Sequence, residues 1–271
     1  MILRRLTKHV KDQNWFAVGL DFVIVVAGIL LAFQITNWSD AHQQKRDTQQ
    51  AVAAIEADLI YLLWISSEQV ASEPCRVEQI TNVRDVLVRE RSKDELVSLK
   101  ILREPGNEGV NFALSQPFRM TNRSWAVESW QAALATGAAA NLSPKQFSLF
   151  SAVFNNAEEA NELLSEQVRM IGRFGDLVVP GVITPQERRQ ILSRLSEYDA
   201  VSTQVGTRAQ GVRRMLSSYT FTSPDRFVQL PSDRARLLAT PETVPAVYRN
   251  CVNFSVFEPV WAQYDILEGS K

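Results

Sequence analysis

The stretch "NWFAVGLDFVIVVAGILLAFQITNW", residues 14–38, decides how the rest of the chain is read. From Trp15 to Ile35 it runs 21 residues with only Asp21 and Gln34 as polar interruptions, and from Phe22 to Phe33 nothing is polar. A helix of that length, rising about 1.5 Å per residue, reaches roughly 30 Å, the thickness of a hydrocarbon core. Trp15 and Trp38 stand at its ends, where interfacial aromatics anchor a span. Two rival readings exist. Ser39-Asp40-Ala41 offers small residues where a signal peptidase reads, but the run exceeds the roughly 7–15 residues of a signal core and its leader is long. A buried core helix normally keeps a polar stripe, and this one has none. Residues 15–38 therefore read as an uncleaved transmembrane anchor.

The flanks orient it. Arg4, Arg5, Lys8 and Lys11 precede the span against one acid, Asp12, whereas Lys45 and Arg46 after it are balanced by Asp40 and Asp47. The positive-inside rule places the N-terminus in the cytoplasm and everything after Trp38, in a bacterium, in the periplasm or outside. Within the leader, residues 1–14, Ile2, Leu6 and Val10 recur every four residues among the basic side chains. That pattern fits a short basic amphipathic helix lying on anionic membrane lipid, and equally a polar tail that only sets topology.

The first forty residues resemble an uncharacterised family of single-pass proteins from Gram-negative bacteria, a domain of unknown function. Such proteins begin with a basic leader, a QNWFAV-type opening, an LDF-type aspartate and a closing NW, all present here. A looser echo is "SWAVESWQAALATGAAANLSPKQFSLF", residues 124–150. The resemblance implies a membrane location and brings no catalytic residues with it.

Beyond the span, residues 39–271 read as one periplasmic helical domain. Val52, Ile55, Leu59 and Leu62 are spaced as an amphipathic stripe. The pattern predicts a helix from about Ser39 to Val70, ended at "SEPC" because the residue before Pro74 avoids helix. A second helix would carry Val77, Ile80, Val83 and Leu87. Ser92 and Glu95 would cap a third, and residues 103–118 read as a loop. "WAVESWQAALATG" predicts a helix closed by Gly137. Ser143-Pro144, Thr184-Pro185 and Thr240-Pro241 each place an N-cap before a first-turn proline. The helix from Pro185 is expected to reach Ser217 with Ile191, Leu195, Tyr198, Val201 and Val205 inside. The last helix, with Cys251, Phe254, Phe257 and Trp261, would be core, kinked or ended at Pro259. The expected fold is all-α: one transmembrane helix followed by a bundle of about six or seven helices.

Composition excludes much chemistry. A formal net charge of −1 argues against a nucleic-acid partner. The chain holds two histidines, His9 and His42, and two cysteines, Cys75 and Cys251. No catalytic residue, metal ligand set or cofactor motif is assigned, because a hydrolase triad lacks a base deep in the domain and no zinc spacing is present. Outside the cytoplasm Cys75 and Cys251 would tend to pair, and two buried thiols are the alternative. Asp21 is costly in a span and so is a candidate intramembrane contact, although it lies near the cytoplasmic interface and a passive role stays open. Its placement is similar to that of proton-driven motor subunits, whose mixed α/β outer domain finds no counterpart here. Gly28 and Ala32 form a small-xxx-small pair, joined by Ala17 and Gly19, that would let two helices approach. Glu158-Glu159, Arg188-Arg189 and Arg213-Arg214 read as solvated faces. Trp125 and Trp130, five apart, would face different sides, one in the core and the other in the core or on a contact surface.

Three functions follow as expectations. The first is a non-enzymatic inner-membrane protein whose outer domain binds a protein partner or itself. The second is a periplasmic bundle that senses a small ligand through a partner, because some 14 cytoplasmic residues are too few for an output domain. The third, an accessory subunit resembling proton-motor components, would use Asp21.

Overall fold

The computed structural model describes residues 15–89, 123–174, 182–221, 251–258 and 260. Among them are the helices α1 (Trp15–Val88), α2 (Glu128–Ala135), α3 (Pro144–Ile171) and α4 (Pro185–Ser217), with 3-10 turns at Ala138–Asn141 and Phe254–Phe257. No strand occurs among the described residues, so the fold is all-α. The chain divides into two units, Met1–Gln50 and Ala51–Lys271.

In the first unit, the part of α1 from Leu20 to Trp38 shows its large apolar side chains on every side, Phe22 at 69% and Leu31 at 63% exposure. The helix is long and apolar enough to cross a membrane.

In the second unit, α1 from Ala51 onward, α3 and α4 form a three-helix core. Contacts fix their directions. Glu56 meets Tyr219 and Arg76 meets Asp199, so α1 and α4 run antiparallel. Glu159 meets Arg208 and Gln167 meets Ser202, so α3 and α4 are antiparallel too. Two apolar clusters fill the interior. One joins Ile55, Leu59 and Leu63 of α1 with Phe150, Phe154, Val205 and Val212. The other joins Ile80, Val83 and Leu87 with Phe174, Ile191, Leu195 and Tyr198. α2 closes the first cluster with Trp130, whose ring stacks on Phe154 at 5.8 Å between centroids.

Local chemistry sets the helix starts. Ser143 and Thr184 each accept from the backbone N–H three residues on, and Gln146 and Glu187 reach back to complete capping boxes, with proline at the first helical position. Gly137 takes φ 78°, the left-handed conformation that ends α2, and a side chain there would be strained. α4 ends at Ser217 as expected. Its inner face differs by one residue: Ser202 is buried and Val201 is half-buried, since α4 keeps a hydroxyl inside for Gln167.

Two expectations fail. α1 does not end at Pro74 but runs through it. A proline there removes one ladder hydrogen bond and crowds the preceding turn. The cost is met by tertiary contacts on that turn. The Asn253 N–H donates to the Ala71 carbonyl at 2.9 Å, Cys75 is bridged to Cys251, and Arg76 holds Glu73, the residue before the proline. The ring of Pro74 itself faces solvent. Two predicted helices are thus one, which lowers the helix number expected for the bundle. Trp125 and Trp130 are both buried, at 1% and 4% exposure. Trp125 precedes α2, so helical spacing does not govern it, and the Asn161 side chain clamps its backbone N–H and carbonyl. Near the C-terminus a 3-10 turn at Phe254–Phe257 buries Val256 and Phe257, with Cys251 and Phe254 half-buried; Glu258 and Val260 are helical, and the rest of the expected last helix lies outside the described residues. The cap at Ser92, the loop at 103–118, the start at Thr240-Pro241, and Trp261 lie outside the described residues.

Candidate functional site

The span residues come first. Asp21, Gly28 and Ala32 are separated by seven and four residues, which keeps them within about 40° of arc on one face of α1. All three are exposed, and a Cβ added at Gly19 or Gly28 would meet nothing within 4 Å. Among the described residues nothing covers that face. Trp38 is exposed at the far end, its ring 4.4 Å from that of His42 between centroids. Trp15 begins α1. Arg4, Arg5, Lys8 and Lys11 lie outside the described residues.

Within the bundle, Cys75 and Cys251 form a disulfide, with Cα atoms 4.8 Å apart across 176 positions of sequence. Beside it lies a charged network. The buried Arg76 guanidinium donates to Glu73, to Asp199 and to the Thr203 hydroxyl, and Arg84 reaches the other oxygen of Asp199 at 3.5 Å. These bonds hold the Arg76 charge firmly and push its pKa up, although burial opposes that. With Gln167 and Ser202 the network separates the two apolar clusters. Buried polar groups that are fully bonded fix register between helices. Two carboxylates do converge here, Glu73 and Asp199, but both accept from Arg76, which is a structural use.

A second polar group lies nearer the start of the bundle. Glu68, buried at 3% exposure, accepts from Arg123 Nε at 3.1 Å. Burial pushes the Glu68 carboxyl above the ordinary carboxylate range, and Arg123 offsets only part of this. Burial also raises the Tyr61 hydroxyl, again opposed by Arg123. Glu56 is buried and accepts from the Tyr219 hydroxyl at 2.9 Å. Tyr219 is raised by burial and by the charge of Glu56, and Tyr198 chiefly by burial.

Sequence reading missed Glu56, Glu68, Arg76 and Arg123. A signal was present for the first two. Residues 59–65, "LIYLLWI", are apolar on every side of a helix. That requires cover all round, and acids a turn away on either side are then buried as well. Nothing local in the sequence marks Arg76 or Arg123. Among the remaining pairs, Glu158 and Glu159 are exposed, bonded to Gln131 and Arg208, and Arg213 donates to the Val256 carbonyl. Among the described residues no group of three or more His, Cys, Asp or Glu side chains could hold a metal ion. An open surface depression lined mostly by apolar groups lies between α3 and α4, at Pro144, Leu149, Ala152 and Met215.

Comparison with protein-family models, curated proteins and solved structures returns no match for this chain.

Proposed function

We propose that this chain is a non-enzymatic, single-pass protein of a bacterial inner membrane, with its N-terminus cytoplasmic. Its periplasmic helical domain mediates interaction with a protein partner or with a second copy. The observation that carries the reading is the uncovered apolar surface of α1 from Leu20 to Trp38. Water does not tolerate a helix apolar on all sides, and lipid does. The basic leader, the resemblance to single-pass Gram-negative proteins and the disulfide support the orientation, since disulfides persist in oxidising compartments. The shared face of Asp21, Gly28 and Ala32 supports contact within the membrane. The apolar depression by Leu149 and Met215 supports contact outside it.

In-cell crosslinking of the membrane-bound protein, read by mass spectrometry with Asp21→Asn as the comparison, tests this. A specific crosslinked partner or dimer is expected, weakened in Asp21→Asn if the contact is intramembrane. Protein released by alkaline extraction of membranes, or recovered with neither partner nor dimer, would sink it. A ligand-sensing bundle is the second reading, favoured by the half-open group around Glu68 and Arg123. The motor-like reading expects strands in the outer domain, and the described residues hold none.

A further inference from the structure

Arg123 lies across an aromatic and acidic face of α1. Tyr61, Trp64 and Glu68 follow one another at spacings of three and four residues, so they share that face. The guanidinium carbon of Arg123 is 4.7 Å from the centroid of the Trp64 ring, and its Nε donates to Glu68 Oε2 at 3.1 Å. The Tyr61 ring stands 5.6 Å from that of Trp64. An aromatic face beside a carboxylate is how proteins hold organic cations.

Arg123 fills this place incompletely. A guanidinium can engage both carboxylate oxygens through parallel N–H groups. Here only one oxygen is engaged, and Glu68 Oε1 is buried without a hydrogen-bond partner. Buried polar atoms are nearly always satisfied, so an orphaned carboxylate oxygen beside a half-exposed cation points to a missing donor. The Arg123 side chain is 45% exposed while that of Glu68 is 3% exposed. The cation can swing into solvent and the carboxylate cannot.

We propose that Arg123 is a displaceable internal ligand over a cation site made by Trp64 and Glu68, and that the site takes a small organic cation, a free guanidinium or amine compound. A free cation is not tethered to a backbone and can reach both oxygens of Glu68. As Arg123 swings out, its place over the Trp64 ring opens beside the orphaned Glu68 Oε1. Burial of the Glu68 carboxylate, only partly offset by Arg123, favours a better-placed cation. The site lies wholly within the bundle and does not depend on where the bundle resides.

Titration of the full chain in detergent micelles with methylguanidinium, against the neutral isostere methylurea, tests the proposal. Arg123→Ala should bind methylguanidinium about tenfold or more tighter than the unsubstituted chain, by calorimetry and by quenching of tryptophan fluorescence. Arg123→Ala with Glu68→Gln should lose that binding. If Arg123→Ala is poorly folded alone, saturable recovery of its helical signal by methylguanidinium but not by methylurea supports the site, and no recovery counts against it. Agmatine should also bind the unsubstituted chain saturably, and Glu68→Gln should abolish this. Equal response to the charged and neutral compounds, or binding unchanged by Glu68→Gln, overturns the proposal. Failure of the membrane reading would leave these titrations unaffected.

Discussion

Two stretches of α1 are apolar around the helix, and each has a carboxylate within it or at its edge. From Leu20 to Trp38, with Asp21, the side chains are exposed throughout. From Leu59 to Ile65, with Glu68 a turn beyond, every residue but the half-buried Tyr61 is buried, Leu63 at 1% and Trp64 at 3% exposure. The second stretch is covered by the chain's own helices and the first by nothing among the described residues. A helix apolar on all sides announces that it needs cover, and its own sequence does not say from what. Length separates the two cases: about twenty residues match a bilayer, while about seven are far too few to cross one.

The largest test of this contrast is the disulfide, which holds only the covered stretch. Reduction, or Cys75→Ser, should destabilise the bundle by up to about 5 kcal/mol on the chain-entropy argument for so long a loop. The measurement is urea unfolding followed by near-ultraviolet circular dichroism. An unchanged midpoint would show that the bridge adds nothing. Next comes a matched pair. Leu63→Ala should cost roughly 2–5 kcal/mol by leaving a cavity. Leu31→Ala should change the bundle's stability by less than about 0.5 kcal/mol, since Leu31 is 63% exposed. Equal effects in the same unfolding assay would break the comparison.

A smaller effect marks the covered carboxylate by pH. The Glu68 carboxyl is held above its ordinary value of 4.5, chiefly by burial. The folded protein therefore binds this proton more tightly than the unfolded chain does. Its contribution to stability improves as pH falls through the raised folded value and levels off below 4.5. Glu68→Gln should remove that slope. Identical profiles for Glu68→Gln and the unsubstituted chain would refute the assignment. The smallest expected change is Thr184→Ala, which deletes the cap of α4 and should cost about 1 kcal/mol in the same assay.

Much of the helical framework was legible because helix starts are local. Ser143-Pro144 and Thr184-Pro185 carry their own hydrogen-bond partners three residues on, and Gly137 carries its own conformational freedom. Pro74 was misread for the converse reason. Its local preference is to end a helix, and the contacts that override it come from Asn253, Cys251 and Asp199, all more than a hundred residues away in sequence. Trp125 was misread because helical spacing was applied outside the helix. Of the candidate sites, Asp21, Gly28 and Ala32 were visible because a charge and small residues stand out in an apolar run. Glu68 and Arg123 were not, since a Glu and an Arg 55 positions apart look solvated until folding joins them.

The sequence by itself determined the all-α class, the apolar helix near the N-terminus, the caps of α3 and α4 and the stop of α2. Each of these depends on side chains within a few residues of the backbone they act on. Only the tertiary structure decided that α1 continues through Pro74, that Arg76 ties three helical positions together, and that Glu68 lies buried beneath Arg123. Each of those depends on groups brought together by packing, whose energies no local pattern encodes.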